Sequence, residues 1–202
     1  MKLYYAPAAC SLSPHIVLLE SGLPFDTVRV STKSHKTADG GDFYAINDKG
    51  YVPVLELDDG QRLTEGPAIV QWIADQVPDR YLAPPNGTLA RTRLQEWLNF
   101  ITSELHKGFG PLFNPAYDAA AKAVATEALK NRLSWTDARL AGREFLLEGG
   151  FSVADAYLFT VLGWGGYVGL NLADWPNLAA YHARIGARPA VQAALKAEGL
   201  LK

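Results

Sequence analysis

Short runs of alternating apolar and polar residues open the chain. Lys2 to Ala6 reads as a strand and Pro7 to Leu12 as a turn. Ser13 followed by Pro14 is a helix start, a hydroxyl cap with proline at the first helical position, where its missing N–H costs nothing. Ile16, Val17, Leu18 and Leu19 fill that helix, and Gly22 ends it as a left-handed cap. Phe25 to Val30 alternates again and predicts a second strand. After polar sequence and a turn at Asn47-Asp48-Lys49-Gly50, Val52 to Leu57 predicts a third. The hairpin turn Asp58-Asp59-Gly60-Gln61 leads into a fourth around Arg62 to Thr64. Glu65-Gly66-Pro67 then opens a helix carrying Ile69, Val70 and Ile73.

The order βαβ followed by ββα is a thioredoxin-like arrangement. Pro78, Pro84, Pro85, Asn86 and Gly87 cluster in a segment that blocks regular structure, and a domain boundary is expected there. Beyond it the pattern turns helical. Leu94, Trp97, Leu98, Ile101 and Leu105 keep a 3.6-residue period, as do Leu129, Leu133, Thr136 and Leu140. Phe151-Ser152-Val153-Ala154-Asp155 precedes an apolar helix and matches a capping box in which Ser152 and Asp155 satisfy each other's orphan donors. The expected fold is an α/β thioredoxin-like N-terminal domain (1–80), a linker (81–87) and an all-α helical C-terminal domain (88–202).

Composition narrows the function classes. With 49% apolar and 20% charged residues, the 202-residue chain is expected to fold in water. A formal charge of −2 with interspersed signs offers no basic face for a nucleic-acid backbone. No run approaches the ~18 apolar residues of a membrane span, and no leader-like pattern follows Met1, so the expected compartment is the cytoplasm. Cys10 is the one cysteine and predicts a free thiol. His15, His35, His106 and His182 lack the paired spacing of zinc sites, so no metal is expected.

Five features carry candidate chemistry. Pro53 sits inside strand-like sequence although proline cannot donate to a ladder. Either a trans proline begins the strand there, or a cis Val52-Pro53 bond turns the Val52 N–H and C=O outward, where they can pair with an extended peptide. Glu65-Gly66 at a helix start offers N–H groups to an α-carboxylate and a carboxylate to an ammonium. Together these suit an amino-acid head followed by a peptide, a description that fits glutathione. Cys10 lies before a helix N-terminus, which favours a thiolate, and Cys10-Ser11-Leu12-Ser13 is a CxxC reduced to CxxS. Asn99, Ser103, His106 and Lys107 fall on one helical face opposite the apolar stripe, with His106 able to act as donor or base. Phe113, Trp164 and Tyr167 either belong to the core or line an apolar pocket.

Several segments share a family likeness: Met1-Lys2-Leu3-Tyr4-Tyr5, Ala9 to His15, Gly50 to Leu55, Leu63 to Ile69, Trp97 to Phe100, Glu104 to Lys107 and Phe151 to Asp155. In order and spacing, over essentially the whole chain, they resemble the bacterial beta-class glutathione S-transferases. The resemblance implies the glutathione S-transferase fold, a homodimer, one glutathione site per subunit and a cis Val52-Pro53 bond. It also implies that Cys10 faces the glutathione sulfur, that Val52 and Pro53 present the backbone pairing surface, and that Glu65 and Gly66 hold the γ-glutamyl group. His106 and Lys107 come from the helical domain and Trp164 borders a small hydrophobic electrophile. Asn99, Ser103 and Glu104 are placed for contact across the dimer. Tyr5 and Ser11 are rival activators, since other relatives use a hydroxyl near that position. Two departures stand out. His35 replaces the lysine many relatives use for the glycyl carboxylate, leaving Lys36 as a substitute, and Gly66 replaces a serine while keeping the N–H.

The leading expectation is a transferase that aims the glutathione thiolate at an electrophilic carbon, with glutathione as co-substrate. The alternatives are a glutathione-dependent redox enzyme acting through Cys10 by disulfide, peroxide or dehalogenation chemistry, and a non-catalytic carrier of apolar ligands.

Overall fold

The computed structural model describes residues 1–201 as two compact units, one of Met1–Ala83 with the returning C-terminal segment from Arg188, the other of Pro84–Ala187. No helix among the described residues is long and apolar enough to cross a membrane.

The first unit is built on five strands, β1 (Lys2–Tyr5), β2 (Asp26–Ser31), β3 (Lys36–Thr37), β4 (Val54–Glu56) and β5 (Arg62–Thr64), in the order β3-β2-β1-β4-β5. β1 runs parallel to β2 with Leu3 opposite Thr27, and antiparallel to β4 with Leu3 opposite Leu55. A parallel neighbour demands a crossover, and helix α1 (Leu12–Ser21) supplies it. Ile16, Val17 and Leu18 of that helix are fully buried. Helix α2 (Gly66–Gln76) follows β5 and packs against α1. This is the thioredoxin-like sheet expected, with a two-residue edge strand, β3, added by the otherwise polar stretch after β2.

Two local expectations change and a third holds. Helix α1 begins at Leu12 with Ser11 as its cap residue, so Ser13 lies inside the helix and caps nothing. Its hydroxyl is buried without a hydrogen-bond partner. The reason is the turn before it, where the Ser11 hydroxyl bonds the Ala6 N–H and C=O and starts the helix early. The third strand, expected from Val52 to Leu57, is confined to Val54–Glu56; it starts after Pro53, which has no N–H to give, and the Val52-Pro53 bond is cis. Gly22 does end α1 left-handed, at φ 74°, its N–H bonded to the Leu18 carbonyl.

The returning segment forms helix α8 (Pro189–Ala197; α3 to α7 are introduced below), which packs on α1. Arg188 grips Glu20 through two bonds of 2.7 and 3.1 Å. Beyond α8, the buried Glu198 carboxylate meets His15 Nδ1 at 2.9 Å and accepts the Ala8 N–H at 3.1 Å.

The helical unit comprises α3 (Leu89–Phe100), α4 (Lys107–Phe113), α5 (Ala119–Leu140), α6 (Val153–Leu162) and α7 (Pro176–Gly186). Between α3 and α4 the chain keeps coiling through a wider π-turn, Ile101–His106, where the Lys107 N–H reaches back five residues to the Thr102 carbonyl. Two hydroxyls explain it. Thr102 Oγ1 bonds the Leu98 carbonyl at 2.8 Å and Ser103 Oγ bonds the Asn99 carbonyl at 3.0 Å, so side chains take a share of the backbone ladder. Leu94, Leu98, Ile101, Leu105 and Phe109 form one buried stripe through the interruption. Leu129, Leu133, Thr136 and Leu140 of α5 are buried as the period predicts. Gly108 brings α4 close to α5, since a Cβ there would stand 3.2 Å from Leu129 Cδ1. Every residue of α6 is buried.

Candidate glutathione site and aromatic wall

In the first unit the turn closed by Ala6 and Ser11 sets Cys10 immediately before α1. Cys10 is half-buried and its Sγ lies 3.3 Å from the Val52 carbonyl oxygen. The carbonyl only accepts, so the contact engages the thiol proton. Ser11, fully buried, has its hydroxyl closed on Ala6. Tyr5, at the end of β1, packs its ring against His15 at 5.7 Å.

The cis Val52-Pro53 pair and the start of α2 are neighbours: a Cβ built on Gly66 would lie 4.0 Å from Pro53 Cγ. Glu65 precedes α2 at φ 67°, a left-handed conformation that costs a non-glycine residue of order 1 kcal/mol. Its carboxylate is exposed and paired with Lys49, whose Nζ also donates to Thr64 Oγ1 at 2.9 Å. Pro67 has no N–H and the Ala68 and Ile69 N–H groups both donate to the Glu65 carbonyl at 3.0 Å, so the Gly66 N–H is the group left at the positive end of the helix dipole. This edge can therefore receive a carboxylate beside an ammonium.

His35 is also left-handed, at φ 52°, with Nδ1 donating to the Gly50 carbonyl at 3.1 Å and its ring on Tyr44 at 4.7 Å. Gly50, at φ 69°, makes room for that pair, because a Cβ there would collide with the Tyr44 ring. Lys36 is exposed on β3.

In the helical unit the π-turn redistributes the polar residues. Asn99, Ser103, His106 and Lys107, expected on one face, divide: Asn99, Ser103 and Lys107 are exposed, whereas His106 is turned into the protein. The wider turn holds an extra residue, which shifts the phase of everything after it. Glu104 pairs with Arg132 of α5 at 2.6 Å. His106 Nδ1 lies 2.6 Å from the Tyr157 hydroxyl, and its ring meets Trp164 edge-on at 4.8 Å. Burial, helped by the neighbouring charge of Lys107, lowers the His106 pKa to about 4, so the ring is neutral near pH 7.

Trp164 also meets Phe109 at 5.7 Å and Phe113 at 6.2 Å, forming an aromatic wall. Trp164 is buried, Phe113 is 48% exposed and Tyr167 is 67% exposed. The wall thus has a buried base and open rings suited to an apolar guest.

Tyr157, Lys49 and Phe109 were not singled out from the sequence. A phenol in an otherwise apolar helix was the available signal for Tyr157, since a buried hydroxyl needs a partner. Lys49 sat within a turn motif, and Phe109 gave no sign beyond being apolar.

Family models match both parts of the chain: the glutathione S-transferase N-terminal domain over residues 9–76 and the C-terminal domain over residues 100–189. The chain is 47% identical to the glutathione S-transferase GstA of Escherichia coli O157:H7, covering 99% of this chain and 100% of that protein. A sphingomonad glutathione S-transferase solved in complex with glutathione is 52% identical and superposes with a TM-score of 0.96 over 100% of both chains. The beta-class enzyme of Sphingomonas chungbukensis is 51% identical with a TM-score of 0.96, again over 100% of both chains. Fold and sequence agree, and the chain belongs to the glutathione S-transferases, in their bacterial beta class.

Proposed function

We propose that the protein transfers the thiolate of glutathione to small apolar electrophiles, as a cytoplasmic homodimer with a role in detoxification. The observation that carries this reading is the pairing of the Val52-Pro53 edge with the Glu65-Gly66 helix start. It suits a γ-glutamyl head followed by an extended cysteinyl backbone. Residues 1–80 act as the glutathione-binding domain, with His35 and Lys36 for the glycyl carboxylate. The helical unit supplies Phe113, Trp164 and Tyr167 for the electrophile. Asn99, Ser103, Glu104 and Lys107 serve the glutathione site across the dimer.

Of the four candidate activators, Cys10 and His106 are favoured. The Ser11 hydroxyl is closed on Ala6 and the Tyr5 ring is packed on His15. The test is glutathione-dependent turnover of a small aryl halide by the wild-type protein, with loss of ground-state binding in Glu65 variants. Tight binding of apolar ligands with no turnover would mean a carrier instead.

A second reading, thiol redox chemistry, is favoured by the half-exposed Cys10 at the start of α1 with serine at the resolving position. There the Cys10 thiolate would attack the glutathionyl sulfur of a disulfide substrate, forming a Cys10–glutathione mixed disulfide as the S–S bond of the substrate breaks and its other sulfur leaves as a thiolate. Cys10→Ala separates the two: conjugation is lowered but retained through His106 under the first reading, and disulfide reduction vanishes under the second.

A further inference from the structure

Tyr157 stands in the middle of α6, with its hydroxyl 2.6 Å from His106 Nδ1 and the two rings edge-on at 78°. The contact is short, and the phenol, a far stronger acid than a neutral imidazole N–H, is the better donor across it. A neutral imidazole carries one proton on one nitrogen, and its other nitrogen accepts. The ring is neutral near pH 7, because burial and the Lys107 charge pull its pKa to about 4. If the phenol donates to Nδ1, the single proton must sit on Nε2.

The ring is held in that attitude from two sides. Trp164 stands edge-on to it at 4.8 Å and 72°, and the π-turn places residue 106 where an unbroken helix would have rotated it away. A ring flip would exchange Nδ1 for a carbon opposite the phenol and break this hydrogen bond.

We infer that Tyr157 is a positioning residue which, by donating its hydroxyl proton to Nδ1, locks His106 as the Nε2–H tautomer and so makes it a hydrogen-bond donor to an anion rather than a base. In this state Nε2 has no lone pair with which to take a proton, and its N–H is fixed before any ligand arrives. Such a donor stabilises a sulfur anion without itself changing charge. The identity of that anion as the glutathione thiolate rests on the transferase reading; the tautomer does not.

The test uses full-length protein labelled with 15N at the histidine rings, recorded near pH 7, with His106→Asn identifying the signals of residue 106. The wild type is expected to show an unprotonated Nδ1 and a protonated Nε2. Tyr157→Phe is expected to move both signals toward the average of the two tautomers. The same variant should lower kcat roughly tenfold with an unchanged KM for glutathione, the lower end of what partners one layer behind a reacting group contribute. A wild-type ring protonated on Nδ1 would overturn the inference, as would a folded Tyr157→Phe with unaltered ring signals. Should that variant fail to fold, the wild-type spectrum alone decides. Expected ring signals in a protein with no glutathione-dependent turnover would remove the transferase reading and leave the tautomer standing.

Discussion

Glu65 combines three properties that a bystander residue does not need together: exposure, a left-handed backbone and a position at the head of α2. Its pairing with Lys49 is a surface ion pair and contributes little to stability. Glu65→Gln removes the charge that would meet the substrate ammonium, far from the reacting sulfur. KM for glutathione is expected to rise about tenfold with little change in kcat, since an interaction common to ground and transition states is lost. An unchanged KM in steady-state assays would take Glu65 out of the site. His106 gives a second residue-scale expectation. Its folded pKa, about 4, lies below the ordinary value, so between about pH 6.5 and pH 4 the unfolded chain binds a proton that the native protein refuses. Stability is therefore full above that window and is lost as pH falls through it. His182, whose pKa burial also lowers, acts in the same direction. Melting temperatures of wild type and His106→Asn measured from pH 7 to pH 4 should converge toward the acid end. Parallel curves would mean that His106 is not buried as a neutral ring.

At the scale of elements, the start of α6 concentrates more polar bonding than any apolar helix requires. Asp155 accepts from the Leu146 and Ser152 N–H groups, the Ser152 hydroxyl and the Tyr181 hydroxyl, all between 2.8 and 2.9 Å. Burial pushes its pKa upward while these four donors pull the other way. Asp155→Ala would leave buried donors unmatched, and a loss of about 3 kcal/mol or more is expected in urea denaturation. A loss below 1 kcal/mol would show that water replaces the carboxylate. The capping box was legible because it is a local device, written within four residues. So was the hairpin into β5, whose turn residues determine its register, and so were the buried stripes of α3 and α5. β3 was not legible, because two polar residues, Lys36 exposed and Thr37 buried, carry no periodic signal and depend on β2 to be a strand. The π-turn escaped for a related reason. Thr102 and Ser103 look like ordinary helix residues until their hydroxyls are seen on the carbonyls four residues back. The site divides in the same way: Val52-Pro53 announces itself by a broken local rule and Glu65-Gly66 by its place at a helix start, whereas Tyr157 is defined by a partner 51 residues away.

For the molecule as a whole, two expectations follow. A homodimer predicts twice the chain mass in light scattering at micromolar concentration, and the mass of one chain would refute it. Glu198→Ala is expected to destabilise the first unit by about 3 kcal/mol, because His15 Nδ1 and the Ala8 N–H lose a buried acceptor. An unchanged urea midpoint would show that neither bond matters. The return of α8 to α1 also has a consequence for how the protein is made. The ribosome delivers β1 through α2 first, then all of Pro84–Ala187, and only afterwards the helix that covers α1. At about 5–20 residues per second, the intervening stretch takes several seconds to synthesise. Throughout that interval the apolar flank of α1 waits for a cover not yet translated, available to chaperones or to a neighbouring nascent chain. The unit that begins first is finished last.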